Sequence, residues 1–234
     1  MRRAILIFGF AASLLGFAAR PAFPQTAGGS QPPPPAASFD AGAQPIDGVA
    51  ARIEDDIVTE SEVHELGAFQ KLVDGKSKPR EELLRELADQ WLIRNEAMTA
   101  KYGQPSAPDV DRAYAEFVKQ FPSPEEFEKR CAEVGLTEAA VRRLIAQQLY
   151  LSRFIDYRFR PEAQVSDEQV DAYYQNEFAP QLKARNESVP PLDDVDDTIR
   201  EVLIQRAIND RATKWLDDTR DRLRIDIVSQ GSGS

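Results

Sequence analysis

The sequence predicts a mainly α protein: a multi-helix module with a small β-sheet formed by an N-terminal hairpin and a C-terminal strand. Apolar residues recur at helical spacing through most of residues 60–222, and Gly and Pro divide this stretch into separate helices. Only the two ends of the region alternate with the period of a strand: Val49, Ala51 and Ile53 near its start, Ile225 and Ile227 near its end. Because a two-stranded ribbon is not stable alone, we expect the two ends to pair with each other.

Turn and cap residues predict where the helices begin and end. Residues 54–56 are a turn between the strands of the hairpin, and Thr59 with Glu62 forms a capping-box pattern that begins the first helix. Gly103 fits the C′ position of the second helix. Helices are predicted at residues 60–73, 80–102, 108–120, 124–134, 138–159, 167–178 and 193–222, with a polar loop at residues 179–191.

The segment before the hairpin has the composition of an export leader and a linker. Two arginines precede an uncharged apolar run, so residues 1–22 are predicted to be a signal peptide. Cleavage near Ala18 and cleavage near Ala27 both stay open, as does an uncleaved signal that anchors the chain in the inner membrane. Residues 23–45, rich in Pro, Gly and Ala, are predicted to be a disordered linker, and residues 229–234 a flexible tail.

Charge and composition exclude several classes of function. The net charge of −10 over 234 residues argues against nucleic acid or an anionic membrane surface as a partner. A single cysteine, Cys131, excludes an intramolecular disulfide, and one cysteine with one histidine, His64, does not make a conventional zinc site. The acidic residues at 193–197 fit a solvated helix N-terminus, since their spacing is not that of an EF-hand. We therefore expect no catalytic residue, no metal and no cofactor.

Several segments, in this order along the chain, resemble the SurA-type periplasmic chaperones. Residues 48–63 resemble the family's V-A-x-V-N-x-x-x-I-T-x-x-E opening, with Glu54 where the family usually has Asn. Residues 83–103 are similar to its L-x-x-L-I-x-x-x-L-x-x-x-x-A-x-x-x-G helix, and residues 124–143 to its S-x-E-E-F hairpin. Residues 165–174 resemble the V-S-D-E-E-I-x-x-Y-Y segment that leads into a parvulin domain. The last helix and strand resemble the family's returning C-terminal elements, so the resemblance covers residues 46–228 as one chaperone domain.

One departure from the family bears on activity. Full members carry a parvulin-type prolyl isomerase domain of roughly a hundred residues where this chain has only residues 179–191, and parvulin sites use histidines, of which this chain has one. The resemblance therefore implies an ATP-independent periplasmic chaperone without isomerase activity. Its partners would be unfolded or extended envelope and outer-membrane polypeptides, with no nucleic acid and no stable membrane insertion after signal cleavage. Two alternatives stay open: an envelope adaptor with one fixed folded partner, and a degenerate prolyl isomerase.

The family's mode of binding implies an exposed, apolar and aromatic groove. Aromatic residues gather around the helix break at Pro161, and some of them are predicted to line this groove. For each one, ordinary packing between helices is the alternative. The candidates are Phe154, Tyr157, Phe159, Tyr173, Tyr174 and Phe178.

Overall fold

A three-stranded antiparallel sheet joins the two ends of the part of the chain that the computed structural model describes, residues 47–228. The strand order is β2-β1-β3, from β1 (Val49–Ile53), β2 (Asp56–Thr59) and β3 (Ile225–Ile227). Ala51 in the central strand lies opposite Val58 on one side and Ile227 on the other. The predicted pairing of the N-terminal hairpin with the C-terminal strand is thus confirmed.

Glu54, in the hairpin turn, reinforces this closure. Its backbone N–H donates to the carbonyl oxygen of Arg224 (3.0 Å), and its carboxylate accepts from the backbone N–H of Arg224 (2.8 Å). Glu54 has φ 53°, in the left-handed region. Asn tolerates that region better than most residues, so the Asn that is usual in the resembling family would suit the same backbone. Here Glu54 adopts the conformation, and its carboxylate holds the last strand.

The helices confirm the mainly α class. The predicted capping box at Thr59 is present, and Ser166 forms a second capping box at the start of α6. The side chains of Ser123 and Thr137 likewise cap the helices that follow them. In chain order the helices are α1 (Glu60–Asp74), α2 (Arg80–Thr99), α3 (Ala107–Val118), α4 (Pro124–Glu133), α5 (Glu138–Phe159), α6 (Asp167–Tyr173), α7 (Ala179–Ala184) and α8 (Leu192–Arg220).

The predicted end of the second helix is wrong. α2 ends at Thr99, and the left-handed residue that follows it is Lys101 (φ 54°) instead of Gly103. The N–H of Tyr102 donates back to the carbonyl of Ala97 (2.8 Å). The ring of Tyr102 then packs against three aromatic rings of α5. The helix therefore ends where its tyrosine turns onto a neighbouring helix.

The loop predicted at residues 179–191 is wrong over its first half. Tyr174–Phe178 form a π-helical turn that continues α6, and α7 (Ala179–Ala184) follows directly. Pro180 lies in the first turn of α7, a position where a helix loses no hydrogen bond to proline. Residues 185–191 then connect α7 to α8, so the connection remains too short for a further folded domain.

Buried side chains form distinct clusters along this framework. Under the sheet, Ile53, Val58 and Leu84 pack with Trp91 and Ile225 at the edge of the cluster. At the other end of α1, a second cluster joins α1 to α3, α4 and α5 through residues that include Phe69, Phe117, Phe127, Val141 and Ile145. α5 also packs against α2 and α8. α5 therefore links the second cluster to the helices on its other side.

Some predictions fall outside the described residues. These are the signal at residues 1–22, the linker at residues 23–45 and the tail at residues 229–234. Within residues 47–228, no helix has the length and apolar character needed to cross a membrane.

Candidate functional site

Two of the six candidate aromatic residues are buried between helices. Phe154 is 1% exposed and packs edge-on against Tyr102. Phe159 is 8% exposed, and its ring centroid lies 5.9 Å from that of Trp215 in α8. In this conformation neither side chain offers surface to a ligand, so both hold α5 against its neighbours.

Tyr157 is the exposed member of the set. It is 63% exposed, and its ring centroid lies 5.2 Å from that of Tyr102, just beyond α2. An ion pair between Arg158 and Glu96 (2.7 Å) ties the same two helix ends together. Met98, in the last turn of α2, is also exposed (64%). We call Tyr102 and Tyr157 the tyrosine patch.

The remaining three candidates are half-buried around the π-helical turn. Tyr174 stacks on Phe178, with the ring centroids 5.9 Å apart, and its hydroxyl donates to the carbonyl of Pro190 (2.7 Å). The guanidinium of Arg206 in α8 lies 4.6 Å from the centroid of the Tyr173 ring. These contacts hold residues 185–191 and α8 against α6. That some of the six line a client groove stays a prediction.

A large groove that the sequence did not predict lies between α1, the α1–α2 loop and the α4–α5 turn. Its volume is about 1090 Å³, slightly above the usual range for ligand pockets. Its apolar lining comes from Val63, Ala68, Leu83, Val134, Leu136 and Ala140. Charged and titratable side chains also line it, namely Glu60, His64, Glu65, Lys71, Arg80 and Glu133. We call this surface the α1 groove.

Small residues and a left-handed turn shape the α1 groove. Gly67 lies in the middle of α1, and a Cβ there would stand 2.8 Å from Ser77 Oγ and 3.3 Å from Leu83 Cδ1. The absence of a Cβ at residue 67 therefore leaves room for the side chains of Ser77 and Leu83 close to α1. Gly135, with φ 75°, makes the α4–α5 turn. A glycine followed by Ala68 in mid-helix was the one sequence signal for this depression.

Ion pairs fix the polar rim of the α1 groove. Arg80 pairs with Glu60 (2.5 Å) at the N-terminal end of α1, and Arg143 of α5 pairs with Glu65. His64 is exposed on the same helix. These pairs brace α1 against α2 and α5 and leave an apolar floor between charged edges.

Cys131 and the metal-ligating side chain types bear on nucleophilic and metal chemistry in the described residues. Cys131 is buried, and burial raises the pKa of its thiol, which is the opposite of what a nucleophilic thiolate requires. Between residues 47 and 228, no group of three or more His, Cys, Asp and Glu side chains is placed to hold a metal ion.

Comparison with protein-family models gives no match for this chain, and no curated protein matches it. The likeness to SurA-type chaperones thus rests on the sequence segments quoted above.

Proposed function

We propose that this protein is an ATP-independent periplasmic chaperone-like protein that binds unfolded or extended envelope polypeptides, outer-membrane proteins among them, without isomerase activity. The α1 groove is the observation that carries the proposal. It is open to solvent, large enough for several residues of an extended chain, and lined by an apolar floor between charged edges.

This lining suits segments of varied sequence. An extended polypeptide buries alternate side chains on one side and leaves the others in solvent. Apolar side chains on the groove floor would gain about 25 cal/mol per Å² of buried surface, while the backbone stays hydrated along the charged edges. Such contacts are non-directional, so they favour weak binding of many unfolded chains over tight binding of one.

The tyrosine patch is a second candidate surface for the same function. Tyr157 presents a large amphipathic ring, and a tyrosine that already packs on Tyr102 loses little side-chain freedom on binding. Whether clients contact the α1 groove, the tyrosine patch or both is a question that substitutions can answer separately.

Two neighbouring alanines in the first turn of α5 supply a matched test. Ala140 lines the α1 groove, whereas Ala139 is exposed outside it. Asp suits either position because carboxylates are favourable near a helix N-terminus. We expect Ala140→Asp to lower the suppression of aggregation of an unfolded outer-membrane β-barrel several-fold, since it puts a charge on the apolar floor. Ala139→Asp adds the same charge to the same turn and should leave suppression unchanged.

Circular dichroism and thermal melting of both variants check that the fold is intact. Equal suppression by the two variants would remove the α1 groove from the proposal. Failure of the unmodified chain to suppress aggregation, together with stoichiometric capture of one folded envelope protein, would favour the adaptor alternative. Acceleration of proline isomerisation in a short peptide would contradict the absence of isomerase activity.

A further inference from the structure

The outer edge of β3 is open among the residues that the structure describes. β3 is the last strand in the order β2-β1-β3, so β1 is its one neighbour there. The N–H of Val228 donates to the carbonyl of Ala50 in β1 (3.0 Å). The backbone groups of Val228 and Asp226 therefore face β1, because their direction alternates along a strand. Ile225 and Ile227 present their N–H and C=O groups to the outer edge.

The opposite edge of the sheet, along β2, is partly closed. There the backbone N–H of Thr59 donates to the carboxylate of Glu62 (2.8 Å). Within residues 47–228, no side chain bonds to the outer backbone groups of β3, and the side chain of Ile227 is 50% exposed. An unpaired edge with exposed apolar side chains is a template for a further strand. β3 is therefore the edge of this sheet that can take one.

Charged side chains alternate in sign from β1 to β3. Asp226 lies opposite Arg52 in the register of the two strands, and Arg224 lies opposite Glu54, whose carboxylate accepts from the Arg224 N–H (2.8 Å). Arg224 and Asp226 are both exposed. One row of charges thus ends at the open edge with a positive side chain, and the next row ends there with a negative one.

A second copy of β3 continues both rows in one register. When Ile225 of one copy lies opposite Ile225 of the other in an antiparallel pair, each Arg224 lies opposite the Asp226 of the other copy. Opposite charges placed in this way contribute roughly 0.2–1 kcal/mol per pair. The neighbouring registers set Asp226 against Asp226 or Arg224 against Arg224, which is destabilising. The strand is therefore complementary to itself in this register.

The same register covers apolar surface on the other face of the strand. Leu223 and Ile225 pack against the cluster under the sheet. Ile227 lies on the same face as Ile225, because side chains two apart in a strand point the same way. Pairing sets Ile227 of each copy opposite Leu223 of the other. The apolar layer under one sheet then continues under its neighbour.

We propose that this protein forms a two-fold symmetric dimer through antiparallel pairing of β3 with β3 of a second copy, with the two Ile225 residues opposite each other. The two three-stranded sheets then make one sheet of six strands. β3 has only three residues, so the interface is small and the dimer should dissociate on dilution in the micromolar range. The inference goes beyond the proposed function and does not depend on client binding.

Charge reversal tests both the dimer and its register. Analytical ultracentrifugation of the unmodified chain over a range of concentrations should show a monomer–dimer equilibrium. Arg224→Asp and Asp226→Arg each set like charges against each other at two places, so each should weaken association about tenfold. Arg222→Asp is the matched control, since it makes the same change of charge before the strand begins. It should leave association unchanged.

Mixing the two charge-reversed variants is the decisive measurement. One copy then carries two acidic side chains at positions 224 and 226, and the other copy carries two basic ones. The mixture should form a mixed dimer about as tight as that of the unmodified chain. An unmodified chain that stays monomeric up to about 1 mM overturns the proposal. So does a dimer that the single reversals do not weaken, or a mixture that does not restore association.

A backbone variant serves if melting shows that charge reversal unfolds the sheet. Ile227→Pro removes an N–H that faces the outer edge and that β1 does not use, and proline is tolerated on edge strands. It should abolish the dimer while Trp91 fluorescence shows an intact lobe. A dimer that survives Ile227→Pro overturns the proposal. Suppression of aggregation is measured separately, so a monomeric chain that still suppresses it contradicts the dimer alone.

Discussion

Tyr157 and Phe159 lie two residues apart in α5 and have opposite environments. Tyr157 points to solvent beside Tyr102, and Phe159 is buried against Trp215, with the Arg158 guanidinium 5.0 Å from the Trp215 ring centroid. Successive residues of a helix are separated by about 100°, so residues two apart face nearly opposite directions. Closeness in sequence therefore does not place these two rings on one surface.

Substituting each of them by Ala should separate binding from stability. We expect Phe159→Ala to lower the free energy of unfolding by about 3–5 kcal/mol, because it opens a cavity beside Trp215. Tyr157→Ala should change it by under about 1 kcal/mol. Urea unfolding followed by circular dichroism measures both values. If clients use the tyrosine patch, Tyr157→Ala weakens aggregation suppression with the fold intact; unchanged suppression would exclude the patch.

At the scale of single elements, the ends of α1 and α2 combine local hydrogen bonds with contacts between distant residues to different degrees. α1 ends at Gly75, whose φ of 73° closes the last turn through a hydrogen bond from its N–H to the carbonyl of Lys71. α2 ends at Thr99; Lys101 then takes the left-handed conformation, and the ring of Tyr102 packs onto α5.

Two glycines provide a matched test of this difference. A Cβ would have open space at both Gly75 and Gly103, but only Gly75 has a left-handed φ. We expect Gly75→Ala to destabilise the protein by about 1–2 kcal/mol, the cost of a left-handed L-residue. Gly103→Ala should be neutral or stabilising by up to about 1 kcal/mol. The melting temperatures of the two variants measure these changes in stability. Equal effects of the two substitutions would refute the assignment of Gly75 as the helix C-cap.

The sequence predicted helix starts better than helix ends for a physical reason. A side-chain cap such as Thr59 or Thr137 bonds to a backbone N–H within three residues, so the signal is local. Beyond the end of α2, Tyr102 bonds back to the carbonyl of Ala97, and its ring contacts Tyr150, which is far away in the chain. The polar composition of residues 179–191 predicts a loop, whereas residues 179–184 form a helix with Pro180 in its first turn.

For the whole molecule, the C-terminal strand completes the sheet and its core. Leu223 and Ile225 pack against the cluster under the sheet, beside Trp91, whose Nε1–H donates to Asp56 (2.7 Å). Removal of residues 223–234 should therefore destabilise this lobe by about 2–4 kcal/mol, the loss of two partly buried apolar side chains. Trp91 fluorescence in a Trp215→Phe background reports the melting of that lobe.

Removal of residues 229–234 alone is the control, and it should leave the melting temperature unchanged. A shortened chain without residues 223–234 that melts like the intact protein would contradict closure of the sheet from both ends.

The closure of the sheet could be predicted from sequence, whereas the α1 groove could not. Strand-like alternation occurs at only two places in the chain, so pairing them was the simplest solution for a ribbon that needs a partner. The groove arises from three segments, around Gly67, Ser77 and Leu136, that come together only after the helices pack. Periodicity shows which face of a helix is apolar, but it does not show which part of that face stays uncovered.

The position of β1 between β2 and β3 also has a consequence for biosynthesis. β1 is made near the start of the fold, and the strand that completes its hydrogen bonding is made near the end. In the interval before those last residues are in place, which comes after export for the proposed periplasmic protein, the central strand lacks its second neighbour. During that interval the hairpin has an unpaired inner edge, so this protein would itself need protection from aggregation before its last residues are in place.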